Sequence, residues 1–245
     1  MNKLFLIGNG FDLAHQMKTS YSDFLLGYIN SAIRTWRDSN SNRFEDELIT
    51  LEPNYIDQSE FVSLIEFKHA IALGNIKLSH QFPFFDNIMK NYVDSKWVDI
   101  EYAYFQELMK IYQYYEKHNV IHGKWLSQTN TCLDLIKQKL FQYLKTIPHT
   151  RKNEKITDNF LWEFNRINYS NVLFLVFNYT DTLKLYLSAI FDKEKYEIIN
   201  IHGDLDHPNN PIIFGYGDEM NKYYDKIEDL NENEFLRNMK CLNPL

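Results

Sequence analysis

The sequence is poor in cysteine and in long apolar runs, and each shortage excludes a class of protein. Its 245 residues contain only Cys132 and Cys241, which cannot build a disulfide framework or a four-cysteine zinc site. The longest apolar runs, at 4–7 and 172–177, fall well short of the roughly 20 residues that a membrane helix needs. We therefore expect reduced thiols, a cytoplasmic location, no signal peptide and no membrane partner.

Basic runs and glycine are also scarce. The net charge is −7 from 26 basic and 33 acidic residues, which argues against a surface that grips nucleic-acid backbone through many phosphate contacts. Aromatic residues make up 16% of the chain and predict helical layers filled by rings. Only 8 glycines are present, so the few places where backbone can approach a ligand closely are informative.

Short apolar runs bounded by turn residues predict an α/β fold with a parallel sheet. Strands are expected to begin at Leu4, Val172 and Ile198, the first of them covered on both faces, and the last two form a βαβ unit with a helix between them. The run at 212–214 predicts a further strand. We expect a single domain over 1–245 with a mainly helical insertion at 38–168, and no strand between about 58 and 147.

Polar residues and glycines follow each predicted strand. Parallel strands bring these segments to one edge of the sheet, where open α/β sheets bind ligands and helix amino termini attract phosphate. Five of the eight glycines fall there, which predicts a nucleotide-sized pocket. The candidate binding residues are Gly8, Asn9, Gly10, Phe11, Asp12, Tyr179, Thr180, Gly203, Gly215 and Gly217.

Each candidate also has a purely structural interpretation. The turn at 8–10 lacks the third glycine of the dinucleotide fingerprint and fits a plain tight turn. Asn178 fits a helix cap, and His202 fits a hydrogen-bonded structural histidine. Glu101 falls inside the apolar stripe of a helix predicted over 97–118. There it is either a buried carboxylate aimed at the pocket or a side chain that reaches solvent.

Several of these segments resemble the bacterial AbiH family of abortive-infection proteins. The resemblance rests on 6–15, 18–24, 97–101, 177–180 and 201–203, and it implies a role in defence against bacteriophage.

The order of a glycine-rich first turn, Asn178-Tyr179 at one strand end and His202-Gly203 one βαβ unit later is similar to sirtuin-like NAD-binding domains. This implies a Rossmann-like fold, with NAD as substrate or ligand and with Asn178 and His202 serving chemistry at the nicotinamide ribose. Glu101 completes the catalytic candidates. The zinc-binding cysteines of deacetylating sirtuins are missing, so we expect no metal, and water as the acceptor.

The leading hypothesis is an NAD-hydrolysing defence effector that responds to an unidentified phage trigger, with self-association left open. One alternative is a metal-dependent nucleotide or nucleic-acid hydrolase, in which Asp12, Asp181, Asp204 and Asp218 gather Mg²⁺. The other is a non-catalytic module that senses a nucleotide.

Overall fold

A computed structural model describes residues 2–55, 60–95, 99–148, 153–166, 171–190, 196–207, 210–213 and 221–239. The elements in chain order are β1 (Asn2–Ile7), α1 (Asn9–Ala14), α2 (Tyr21–Asp38), β2 (Phe44–Glu45), β3 (Ile49–Pro53), α3 (Leu64–Ala72), β4 (Ile76–His80), α4 (Pro83–Ser95), α5 (Ile100–His118), α6 (Gly123–Thr146), α7 (Glu154–Arg166), β5 (Asn171–Val176), α8 (Lys184–Ile190), β6 (Tyr196–Asn200), α9 (Lys222–Asp229) and α10 (Asn233–Leu236).

The chain divides into two compact units. Unit 1 comprises Met1–Ser20, Leu144–Ile213 and Leu242–Leu245, and unit 2 comprises Tyr21–Tyr143 and Phe214–Cys241. The single domain over 1–245 with an insertion at 38–168 stays a prediction.

Unit 1 contains a parallel three-stranded sheet in the order β1-β5-β6. Ile7 pairs with Val176, and Val176 pairs with Asn200, so the three strands end side by side. The three parallel strands and the β5-α8-β6 unit predicted from the sequence are confirmed. The sheet is therefore the frame that carries the candidate site.

The further strand expected at 212–214 is wrong for the part that the structure describes, because Ile212 and Ile213 are not in a strand. The N–H of Ile213 donates to the carbonyl oxygen of His202 at 2.9 Å, and the N–H of Asp204 donates to that of Asn210 at 2.9 Å. This segment thus bonds to the turn after β6 instead of joining the sheet.

One face of the sheet carries the core of unit 1. Residues Ile7, Val172, Phe174 and Val176 are buried there with Leu183, Tyr186 and Leu187 in and just before α8. On β1 the burial alternates, and Leu4 and Leu6 are 53% and 65% exposed. The expectation that β1 is covered on both faces is therefore wrong, because an apolar run by itself does not distinguish a central strand from an edge strand.

Unit 2 combines helices with an antiparallel sheet in the order β2-β3-β4. The helix predicted over 97–118 is confirmed as α5. The absence of strands between 58 and 147 is wrong, because β4 pairs with β3 from Ile49↔His80 to Pro53↔Ile76. Burial alternates along β3 and β4. The matching alternation of apolar and polar residues in the sequence is the signal that would have predicted these two strands.

None of the helices among the described residues has the length and apolar character that crossing a bilayer requires.

Candidate functional site at the carboxyl edge of the parallel sheet

The three segments that follow β1, β5 and β6 leave the sheet at the same edge. The N–H of Phe177 donates to the carbonyl oxygen of Ile7, and that of Ile201 donates to Val176, both at 2.8 Å. These bonds continue the ladder one residue past the strands. The polar segments beginning at 8, 178 and 202 are therefore neighbours, as the strand pattern predicted.

The turn after β1 leads into α1 through Gly8, which has extended backbone. Gly8, Asn9 and Gly10 are exposed, and a Cβ added at either glycine would meet no atom of the described residues within 4 Å. Thr19 donates from its hydroxyl to the side-chain oxygen of Asn9 at 2.7 Å. The space beside this turn is therefore open to a ligand.

Phe11 and His15 instead point toward the core of unit 1. The ring of Phe11 lies 4.9 Å from that of His15 and 5.7 Å from that of Tyr186. The Nδ1–H of His15 donates to the carbonyl oxygen of Phe11 at 2.6 Å, while its Nε2 bonds to the hydroxyl of Tyr186. That hydroxyl oxygen also accepts from the N–H of Asn153 at 2.6 Å. This network fixes α1 against α8.

Asp12 is the buried acid of the first turn, with 1% of its surface exposed. The hydroxyl of Thr180 donates to its Oδ2 at 2.6 Å. Its Oδ1 is buried and has no hydrogen-bond partner among the described residues. The first turn and the segment after β5 are thus joined by their candidate side chains, and one carboxylate oxygen is left over.

Asn178 follows β5 and is 5% exposed. Both Oδ1 and Nδ2 of its amide are buried, and neither has a hydrogen-bond partner within the described part of the chain. The interpretation of Asn178 as a helix cap is therefore wrong, because a cap needs its side-chain oxygen to accept a backbone N–H. Buried polar groups in native proteins are nearly always paired, with protein groups, ordered water or a ligand, so the Asn178 amide needs a partner beyond the described residues.

His202 lies two residues past β6 and is half-buried. Its ring packs at 5.7 Å against Phe177 and at 6.2 Å against Tyr179, the two residues that flank Asn178. Burial lowers the pKa of His202 below its ordinary value, so the imidazole is neutral at pH 7. The structure thus places the predicted histidine against the segment that carries the predicted asparagine.

Gly203 has a structural reason to be glycine. Its φ is +83°, and a Cβ there would collide with the backbone of Pro211 and Ile212. Its binding role stays a prediction.

A cleft of about 190 Å³ lies in unit 1 beside this edge. Tyr179 and Thr180 line it, together with residues after β6 such as Leu205 and Asp206. Asn178 and His202 are not among its described lining residues. The cleft is smaller than the roughly 300–1,000 Å³ typical of pockets for drug-sized ligands, so it fits a part of a nucleotide.

Three carboxylates converge next to this cleft. One oxygen from each of Asp181, Asp204 and Asp206 lies within 4.8 Å of the others. The ammonium of Lys184 lies 2.6 Å from Oδ1 of Asp181 and 3.5 Å from Oδ2 of Asp204. Asn200 also donates to Asp204, at 3.1 Å. A lysine therefore already supplies positive charge to this group.

The acidic set expected for Mg²⁺ is assembled only in part. The structure brings Asp181 and Asp204 together, whereas Asp12 bonds to Thr180, and Asp218 lies outside the described residues. Sequence reasoning missed Asp206, although its position two residues after Asp204 was a usable signal.

The remaining candidates from the sequence are Glu101, Gly215 and Gly217. Glu101 stands in the first turn of α5 in unit 2, two residues after the Asp99 cap, and is partly exposed. Its catalytic role stays a prediction. Gly215 and Gly217 lie outside the described residues.

Comparison with known proteins gives one positive result. The model of a family described as bacteriophage abortive infection AbiH matches residues 4–243. No curated protein and no solved structure matches the chain.

Proposed function

This chain belongs to the AbiH family, and on that premise we propose that it is an abortive-infection effector that binds and hydrolyses NAD at the carboxyl edge of β1-β5-β6. Membership of the family indicates a function in bacteriophage abortive infection. The NAD chemistry is the finer part of the proposal and depends on the residues at this edge.

The amide of Asn178 is the observation that carries the nucleotide site. A buried polar group left unpaired costs about 1–3 kcal/mol, and among the described residues neither the donor nor the acceptor of Asn178 has a partner. A ribose hydroxyl can accept from Nδ2 and donate to Oδ1. The free oxygen of Asp12 gives the same edge a second acceptor for a hydroxyl. A ribose-bearing ligand therefore matches the groups that lack partners.

His202 supplies a proton acceptor for the reaction. Water attacks the ribose carbon as its bond to the nicotinamide nitrogen breaks, which yields ADP-ribose and neutral nicotinamide. The proton lost from the water passes to the neutral imidazole of His202. The rings of Phe177 and Tyr179 beside it limit access of bulk water. General bases of this kind contribute roughly 10²–10⁴-fold to a rate.

The turn at 8–10 is the proposed position of the pyrophosphate. Its exposed backbone and the open space beside Gly8 and Gly10 permit close approach of a phosphate.

NAD levels in infected cells test the proposal. We would measure NAD by chromatography after phage challenge in cells that carry wild-type protein, Asn178→Ala or His202→Ala. His122→Ala is the matched control, because Ile121-His122-Gly123 repeats the tripeptide of Ile201-His202-Gly203 and His122 is exposed.

We expect NAD to fall with wild type and with His122→Ala, and to be preserved with the two site variants. Protection with constant NAD in wild-type cells would refute NAD hydrolysis, as would normal depletion by both site variants.

A metal-dependent hydrolase is the second candidate, favoured by the convergence of Asp181, Asp204 and Asp206. If the protein is such a hydrolase, it turns over nucleotide or nucleic acid. This turnover should stop when Mg²⁺ is chelated and in the variant Asp206→Asn. NAD hydrolysis as proposed continues under both conditions.

A further inference from the structure

Unit 2 contains a mainly apolar cavity that the proposed function does not use. Its volume is about 310 Å³, at the lower end of the range for small-molecule sites. The walls come from α3, β4 and α4, and the apolar part consists of Leu64, Phe67, Ile71, Leu78 and Met89.

His80, the last residue of β4, lines this cavity and has 14% of its side chain exposed. Its Nδ1 lies 3.1 Å from Oδ1 of Asp86, which also lines the cavity. A carboxylate can only accept, so Nδ1 carries the hydrogen. The other oxygen of Asp86 lies 2.5 Å from the ammonium of Lys90. The carboxylate is therefore held in place and fixes the orientation of the ring.

The second nitrogen of His80 is left with a lone pair. Nε2 is buried and has no hydrogen-bond partner among the residues that the structure describes. Burial, which outweighs the opposing effect of Asp86, lowers the pKa of His80 below its ordinary value. The ring is therefore neutral at pH 7, and Nε2 is a hydrogen-bond acceptor on a residue that lines the apolar cavity.

We propose that this cavity binds a neutral, apolar, ring-sized molecule through one N–H or O–H group that donates to Nε2 of His80. The apolar walls favour a ring over a sugar or a peptide backbone. An anion is disfavoured at Nε2, because it would meet a lone pair there. Lys68 and Lys90 also line the cavity. Lys68 is exposed, and Lys90 is engaged by Asp86 with its side chain 67% exposed, so both add little attraction for an anion.

Indole and benzofuran test this proposal on the full chain. They have nearly the same size and shape, but only indole has an N–H. We would titrate each into ¹⁵N-labelled protein at pH 7.5 and follow the His80 ring nitrogens by NMR. The variants are His80→Ala and, as control, His69→Ala, an exposed residue of α3 that does not line the cavity.

We expect indole to shift the Nε2 resonance of His80 and to bind about fivefold or more tightly than benzofuran, as a typical net hydrogen bond implies. His69→Ala should keep this preference and His80→Ala should lose it. Equal affinity of the two ligands for wild type would mean that a water satisfies Nε2, and it would overturn the proposal. Absence of indole binding to folded wild-type protein would also overturn it. Neither result depends on NAD.

Discussion

Thr180 donates a 2.6 Å hydrogen bond to Oδ2 of the buried Asp12, although 168 residues separate the two in the sequence. The bond ties the turn after β1 to the segment after β5. The hydroxyl of Thr182, 3.0 Å from that of Thr180, extends the contact. The two segments that carry most of the candidate binding residues are therefore held in one arrangement by side chains as well as by the sheet.

We expect Thr180→Val to destabilise the protein by about 1–3 kcal/mol, because the variant keeps the shape of threonine but leaves the Asp12 carboxylate without its donor. Urea unfolding at pH 7.5 measures the effect. Thr180→Ser keeps the hydroxyl and should lie closer to wild type. Equal destabilisation by both variants would contradict this expectation, because Thr180→Ser retains the donor to Asp12 and Thr180→Val does not.

Gly203→Ala should destabilise the protein by about 1–3 kcal/mol or more. The position has a φ of +83°, and a Cβ there would collide with the carbonyl of Pro211. Gly8→Ala is the control, since its Cβ would meet no atom within 4 Å. A thermal unfolding midpoint for Gly203→Ala that equals that of the control would contradict this geometry.

Gly10→Val should fold normally and bind nucleotide more weakly. A Cβ at Gly10 would meet no atom of the described residues within 4 Å, so the branched side chain fits beside them but occupies the volume through which a phosphate would approach the backbone. Calorimetry with NAD on wild type and Gly10→Val provides the comparison. Unchanged affinity in the folded variant would assign the turn a structural role only.

The lowered pKa of His202 predicts a pH dependence of stability. In the unfolded state the pKa of His202 is about 6.5, whereas burial lowers the pKa of His202 in the folded state. The unfolded state therefore holds more protons between these two values, and stability falls as the pH drops through 6.5 toward the folded pKa. Above pH 6.5 this contribution is fully present.

Urea unfolding of wild type and His202→Gln at pH 7.5 and 5.5 isolates that contribution, because the other titrating groups are common to both proteins. We expect wild type to lose more stability than His202→Gln between the two pH values. Identical losses would show that His202 is protonated as readily in the folded state as in the unfolded one.

Local patterns predicted the three parallel strands and the helix over 97–118 correctly, but they missed the antiparallel sheet of unit 2 and placed a strand wrongly at 212–214. Short apolar runs followed by turn residues at Gly8 and Asn178 signal strands of a parallel sheet, although the run in β1 is covered on one face only. Alternation in β3 and β4 was an equally local signal, but the runs are only five residues each and lie between helical segments.

The sequence by itself determined that the residues after β1, β5 and β6 meet at one sheet edge, because parallel pairing follows from the βαβ order and fixes where all strand ends lie. Only the tertiary structure decided that Asp12 bonds to Thr180, that neither end of the Asn178 amide has a partner among the described residues and that Lys184 contacts two of the three clustered carboxylates. Hydrogen-bond partners depend on distances of a few tenths of an ångström between segments far apart in the chain, and residue order does not encode such distances.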